Sequence, residues 1–172
     1  WRPRNYSGRY LGRITLRDAL AKSVNTAAVK VSEKVGRQKV VKAAERLGIT
    51  SKLKGHPSIA LGAGEANLLD MTAAYAVFAN RGYSAWPYGI IEIRDGANKI
   101  LYRRSAVGTG RLVRAEAVEG MQEMLREVVT SGTGRRARLN RPAAGKTGTS
   151  QGFRDAWFIG FTAELVTGVW LG

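Results

Sequence analysis

The chain has 172 residues, which is the length of one domain and enough to bury about 70% of its unfolded surface. Its apolar share of 44% is ordinary for a globular protein, and no apolar run of about 18 residues could span a membrane. The absence of cysteine excludes disulfides and thiol catalysis. The formal net charge of +15 favours polyanionic partners, although a solvated basic surface explains it equally well.

The first half of the chain predicts three helices after an irregular segment at residues 1–14. Thr15 has the character of an N-cap for the first, with Asp18 in the capping-box position. In the second helix, the spacing of the apolar residues predicts a stripe of Ala28, Val31 and Val35. The helices are expected at 16–22, between Asn25 and Gly36, and at 37–47.

Ser23-Val24-Asn25 separates the first two predicted helices. Such a link can project two polar side chains together into a cleft. In a simpler interpretation, which the spacing alone favours, Asn25 or Thr26 only caps the following helix.

Residues 49–66 predict a loop. Within it, Ser51-Lys52-Leu53-Lys54 has a serine and a lysine at the spacing of a Ser-x-x-Lys motif. We interpret this match as a coincidence, because it follows a helix end, lies among loop residues and comes after Ser23 rather than before it. His56 is the only histidine, and with no second histidine or cysteine to join it we expect no metal site. No cofactor is expected either.

The middle of the chain predicts a helix, a hairpin and a second helix. Asn67 caps the first helix, which is expected at 68–79, and the hairpin at 90–103 turns at Asp95-Gly96-Ala97-Asn98. The second helix is expected at about 115–129. Its apolar face contains Val118, Met121, Leu125 and Val128.

Gly145-Lys146-Thr147-Gly148-Thr149-Ser150 precedes a strand-like segment at 155–162. In an extended strand, Lys146 and Gly148 share one face, and Thr147 and Thr149 share the other. Such a strand offers a cation, hydroxyl groups and backbone groups to an extended anionic peptide. Together with a further strand at 166–171, these segments predict an antiparallel meander.

A phosphate-binding loop also ends in Gly-Lys-Thr, but two features exclude it. It needs a glycine at position 140, which is Asn, and a following helix, whereas Gln151-Gly152 predicts a turn. Taken alone, the stretch is equally compatible with an ordinary Gly/Thr-rich strand.

The densest basic run directly precedes the Lys146 strand and contains Arg135, Arg136, Arg138 and Arg141. No aromatic residues interleave with it, so it does not resemble a stacking platform for bases. We therefore expect no specific nucleic-acid partner.

Ser23-x-Asn25 and Lys146-Thr147-Gly148, in this order, are two of the three signatures of penicillin-binding proteins and serine β-lactamases. Longer stretches around them, and one between them, resemble the transpeptidase domain of class A, bifunctional penicillin-binding proteins over essentially the whole chain. These stretches are PRNYSGRYLGRITLRDALAKSVNTAAV, ALGAGEANLLDMTAAYAVFANRGY and AAGKTGTSQGFRDAWFIGFT. The resemblance implies an α+β fold in which helices pack on an antiparallel sheet and the Ser23 loop faces Lys146 across a cleft.

The family's Ser-x-x-Lys nucleophile motif lies upstream of its Ser-x-Asn loop, and nothing before Ser23 matches it. The family's chain also continues beyond its last strand into a helix. Because the chain does not begin with Met either, we expect residues 1–172 to be part of a transpeptidase domain, without the nucleophile segment and the final helix. By itself this part is expected to be inactive.

The resemblance also implies a mechanism. A serine of the missing segment forms an acyl-enzyme with a terminal D-Ala-D-Ala, and the acyl group passes to an amine of a neighbouring stem peptide. Ser23 would relay a proton, Asn25 would hold the substrate amide, and Lys146 would supply positive potential. Thr149 would bind the substrate carboxylate and donate its amide to the oxyanion hole. The implied substrate-binding residues are Thr147, Gly148 and Thr149.

The implied partners are peptidoglycan stem peptides, β-lactam antibiotics and other cell-wall synthesis proteins. The implied location is the periplasmic face of the bacterial inner membrane, with an N-terminal anchor and a glycan-polymerising domain outside this chain. Three alternatives stay open: a serine β-lactamase-like hydrolase, a non-catalytic basic module that binds a polyanion through the run 135–141, and an inactive scaffold.

Overall fold

The computed structural model describes residues 1–105, 108 and 110–172. In these residues four α-helices come first, a two-stranded hairpin and a fifth α-helix follow, and three strands come last; three short 3₁₀ turns lie at Pro57–Leu61, Arg135–Ala137 and Gln151–Phe153. The helices are α1 (Leu16–Ala21), α2 (Asn25–Val35), α3 (Arg37–Arg46), α4 (Leu68–Ala79) and α5 (Ala115–Thr130). The strands are β1 (Glu92–Arg94), β2 (Ile100–Arg103), β3 (Ala144–Thr149), β4 (Ala156–Phe161) and β5 (Val166–Leu171).

Local capping chemistry explains where two of the helices begin. The Thr15 hydroxyl accepts a hydrogen bond from the Asp18 amide at 3.1 Å, which confirms the N-cap predicted for α1. The Asn67 side chain accepts from the Asp70 amide at 2.7 Å at the start of α4. Both bonds satisfy amides that have no partner within the first helical turn.

The apolar stripe predicted for α2 is wrong by one helical position. Val31 and Val35 are 41% and 47% exposed, and Ala28 is exposed as well. The buried residues of this helix are instead Val29 and Ser32. The buried face is set by where α1 and the turn at Pro57–Leu61 pack against α2, and no periodicity within the helix contains that information.

The strands form two separate antiparallel sheets. β1 and β2 make the predicted hairpin, in which Glu92 pairs with Arg103. β3, β4 and β5 form the predicted meander in that spatial order, and Lys146 is opposite Ile159 in its register. β3 is therefore an edge strand of its sheet, and the α+β class with an antiparallel sheet is confirmed.

Helix α5 places the end of α1 beside β3, because it packs against both. Its predicted apolar face is confirmed, since Val118, Leu125 and Val128 are at most 3% exposed. Leu125 forms a core cluster with Ala144 of β3 and Phe161 of β4. Among the described residues, no helix combines the length and the apolarity needed to cross a membrane.

Candidate active site

Lys146 connects β3 to the turn between α1 and α2. Its Nζ donates a hydrogen bond to Ser23 Oγ at 3.0 Å and another to the Thr147 carbonyl oxygen at 2.8 Å. A third, weak contact joins Nζ to Thr147 Oγ1 at 3.5 Å. The fold thus brings together the two motifs that the sequence singled out.

The Lys146 ammonium is held in a partly buried position. Burial lowers the pKa of Lys146 from 10.5 to about 8, because desolvation penalises the charged form. Among the described residues, no carboxylate lies within 4.0 Å of Nζ. A cation that is desolvated and lacks an acidic partner is suited to meet the negative charge of a ligand.

Ser23 occupies a strained backbone conformation. Its φ of 52° lies in the left-handed region, which costs a non-glycine residue about 1–2 kcal/mol. The turn is held by two backbone bonds, from the Ser23 amide to the Leu20 carbonyl at 3.1 Å and from the Val24 amide to the Ala19 carbonyl at 2.9 Å. Strain of this kind is concentrated at functional sites, where it aims a side chain.

Asn25 is not joined to Lys146 in this structure. Its Nδ2 donates to the Arg4 carbonyl at 2.9 Å and thereby ties the start of α2 to the N-terminal segment. The simpler interpretation of this stretch, in which Asn25 or Thr26 caps α2, is wrong, because neither side chain does so. Asn5 does so from a distance: its Oδ1 accepts from the Thr26 amide at 3.0 Å and from the Thr26 hydroxyl at 3.1 Å.

The residues that follow Lys146 lie along the edge strand. Thr147 Oγ1 is 2.6 Å from the hydroxyl oxygen of Thr133, which belongs to the loop after α5. Gly148 lies opposite Trp157, and a Cβ added at Gly148 would come within 3.2 Å of the Trp157 Cβ. Thr149 is exposed at the end of the strand. The resemblance found in the sequence implies that the loop at 131–134 lies near the cleft, but it assigns Thr133 no chemical role.

Ser51 and Lys54 of the coincidental pattern line a hollow of about 550 Å³. His56 and Glu65 contribute to the same hollow, but Ser23, Lys146 and Thr147 do not. This hollow therefore lies apart from the motif residues. We place the candidate site at Lys146, because a strained serine and a cation with a lowered pKa meet there.

The comparison with known proteins covers the chain almost from end to end. The family model described as the penicillin binding protein transpeptidase domain matches residues 1–166. Penicillin-binding protein 1A of Aquifex aeolicus is 44% identical over 173 residues, which cover 100% of this chain and 24% of the relative. Penicillin-binding protein 2D of Bacillus subtilis is 39% identical over 179 residues, which cover 99% of this chain and 26% of the relative. The chain thus spans about a quarter of the length of these curated relatives.

Two solved structures have the same fold. Penicillin-binding protein 1A from Haemophilus influenzae superposes with a TM-score of 0.88 at 27% identity, over 99% of this chain and 31% of that one. The PonA1 protein from Mycobacterium tuberculosis in complex with penicillin V superposes with a TM-score of 0.87 at 26% identity, over 97% of this chain and 50% of that one.

The resemblance found in the sequence is confirmed by these comparisons, and so is the fold that it implied. The family match at residues 1–166 includes the turn with Ser23 and Asn25 and the strand that carries Lys146. Both halves of the candidate site therefore lie within it. This chain belongs to the penicillin-binding protein transpeptidase domain family.

Proposed function

We propose that this chain builds one side of the active site of a serine D,D-transpeptidase, which cross-links peptidoglycan stem peptides and is acylated by β-lactams. The observation that carries the proposal is the hydrogen bond between Lys146 Nζ and Ser23 Oγ. It joins a cation of lowered pKa to a hydroxyl on a strained turn, and both belong to motifs of the matched family.

The reaction needs a serine nucleophile, which a segment outside these residues supplies. Its hydroxyl adds to the carbonyl carbon of the penultimate D-alanine, and the peptide C–N bond then breaks. The terminal D-alanine leaves with a proton on its nitrogen, and an acyl ester remains on the serine. An amine of a second stem peptide attacks this ester, forms the cross-link and releases the serine.

Ser23 would pass the proton to the leaving nitrogen. Its oxygen accepts a hydrogen bond from Lys146 Nζ, so its own proton is free to point toward a substrate in the cleft. The positive charge of Lys146 makes the Ser23 hydroxyl a better proton donor and attracts the carboxylate of the peptide.

Asn25 would hold the substrate amide through Oδ1. Its Nδ2 already donates to the Arg4 carbonyl, and this bond fixes the orientation of the amide plane. The remaining Oδ1 is an acceptor, which suits a peptide N–H group.

The substrate would lie along β3 as an added strand. One edge of β3 pairs with β4, and the other lies at the margin of the sheet, where it can bond an extended peptide. Thr149, exposed at the end of this strand, would bind the terminal carboxylate, and its amide would contribute to the oxyanion hole. Thr147 and Gly148 complete the binding edge.

The remainder of the enzyme follows from the same proposal. The nucleophile segment and a final helix complete the transpeptidase domain, and a separate domain polymerises glycan. A membrane anchor holds the enzyme at the periplasmic face of the inner membrane, where it meets other cell-wall synthesis proteins. No cofactor takes part.

The mass of the intact protein after incubation with penicillin tests this proposal. We expect an adduct of one drug molecule on a version of the chain extended upstream to include the nucleophile segment, and none on residues 1–172. Lys146→Ala in the extended version is the matched control and should acylate more slowly. An adduct on the short chain would reassign the nucleophile to a serine within it, and repeated turnover of the drug would favour the β-lactamase-like hydrolase.

A further inference from the structure

Thr133 contacts both walls of the candidate site. Its backbone amide donates to the Ala21 carbonyl at the end of α1, at 3.0 Å. Its hydroxyl oxygen lies 2.6 Å from Thr147 Oγ1 on β3, and either oxygen can be the donor. One residue therefore bonds the helix end that leads into Ser23 and the side chain that follows Lys146.

The loop that carries Thr133 is pressed against α1 so closely that position 132 must be glycine. A Cβ at Gly132 would lie 2.3 Å from the Ala21 carbonyl oxygen and 2.9 Å from the Val128 Cα. On the other side, the Gly134 amide donates to the Val128 carbonyl at 3.0 Å. The backbone of this loop is thus fixed relative to both α1 and α5, whereas the Thr133 side chain itself is exposed.

These contacts close a ring around the site. Ala21 lies two residues before Ser23, and Thr147 is bonded in sequence to Lys146. The hydrogen bond between Ser23 and Lys146 completes the circuit. Each contact in the ring constrains the others, because moving the turn away from the strand would stretch both the Thr133 and the Lys146 bonds.

We propose that Thr133 is a positioning residue of the transpeptidase site, which sets the separation of Ser23 and Lys146 by bonding Ala21 with its backbone and Thr147 with its hydroxyl. The inference rests on the proposed function. The Thr133 hydroxyl selects one orientation of the Thr147 side chain, which is already stiff because it is branched at Cβ. In that orientation Thr147 Oγ1 also stays within 3.5 Å of the Lys146 ammonium.

A double-mutant cycle in the full-length enzyme tests the proposal. The second-order rate of acylation by penicillin is measured for Thr133→Val, Thr147→Val, the double variant and the wild type. Valine keeps the shape of threonine but removes the hydroxyl. We expect each single change to lower the rate by about three- to tenfold, which corresponds to the loss of one hydrogen bond, and the double variant to be no slower than the slower single variant.

Two further variants separate positioning from general stability. Thr133→Ser restores the hydroxyl and should recover most of the wild-type rate. Thr130→Val is the matched control. Thr130 is the last residue of α5, and among the described residues its hydroxyl donates to the Arg126 carbonyl at 2.8 Å, away from Thr147. It should acylate at the wild-type rate.

The proposal is overturned if Thr133→Val acylates at the wild-type rate. It is also overturned if the fold loss of the double variant equals the product of the two single losses, because the two side chains would then act independently. Should Thr133→Val fail to fold, Thr147→Val decides, because it removes the same bond from the other partner. An unchanged rate for that variant overturns the proposal as well. A wild-type enzyme that forms no adduct, or a Lys146→Ala variant that acylates normally, would instead defeat the proposed function.

Discussion

The ammonium group of Lys146 and the hydroxyl oxygen of Ser23 are 3.0 Å apart, although 123 positions separate the two residues in the chain. The bond crosses from the edge strand β3 to the turn that follows α1. Because the ammonium has no carboxylate partner among the described residues, Ser23 is one of the few groups that stabilise its charge. The protonation state of Lys146 therefore affects the Ser23 hydroxyl.

Acylation of the full-length enzyme should decline as the pH rises above about 8. The pKa of Lys146 is lowered to about 8 by burial, so its ammonium form predominates below this pH and is lost above it. The proposed mechanism uses the positive charge, so the rate should follow the charged fraction. The rate with penicillin, measured between pH 6 and 10, checks this.

Two Lys146 variants provide the controls for the pH profile. Lys146→Ala should lower acylation by about ten- to a hundredfold at pH 7, since a hydrogen bond to a charged group contributes about 1.5–3 kcal/mol. Lys146→Arg keeps a charge at every pH and should lose the decline near pH 8. A wild-type rate that stays constant from pH 7 to 10 would show that the charge is not used.

Ser23→Gly and Ser23→Ala should differ in stability but not in activity. Both remove the hydroxyl, and both should slow acylation. Only glycine relieves the backbone strain at a φ of 52°, so Ser23→Gly should be more stable than Ser23→Ala by about 1 kcal/mol. Denaturant unfolding of the two variants measures the difference, and equal stabilities would mean that the turn stores no strain.

Gly132→Ala should damage both stability and acylation. The added methyl would lie 2.3 Å from the Ala21 carbonyl oxygen, so the loop must move away from α1. We expect a loss of about 1–3 kcal/mol in the free energy of unfolding, as for other overpacked sites, together with slower acylation. Gly120→Ala is the matched control, because a methyl at that position of α5 meets nothing within 4 Å. Equal behaviour of the two variants would argue against a close contact at position 132.

Ser51→Ala and Lys54→Ala should leave acylation of the full-length enzyme unchanged. Both side chains line the 550 Å³ hollow, which shares no lining residue with the Lys146 group. The number of drug molecules attached per protein should stay at one. Loss of the adduct in Ser51→Ala would identify Ser51 as the nucleophile and would require a new assignment of the site.

Much of the secondary structure could be predicted because it depends on residues that are close in the chain. Capping by Thr15 and Asn67, the turn of the β1–β2 hairpin and the apolar face of α5 all arise from interactions within a few positions. The meander β3–β4–β5 was equally accessible, because consecutive strands joined by short turns pair with each other. The Ser-x-Asn and Lys-Thr-Gly motifs could be recognised from residue types and their order in the chain alone.

Only the tertiary structure decided which residues meet at the site. Asn5 caps α2 from 21 positions away, and Asn25 turns to the Arg4 carbonyl instead of toward Lys146. The buried face of α2 and the bond between Thr133 and Thr147 likewise depend on how separate elements pack. Periodicity and capping rules describe interactions within one helix or strand, whereas the relative placement of α1, α5 and β3 follows from the core that they bury together.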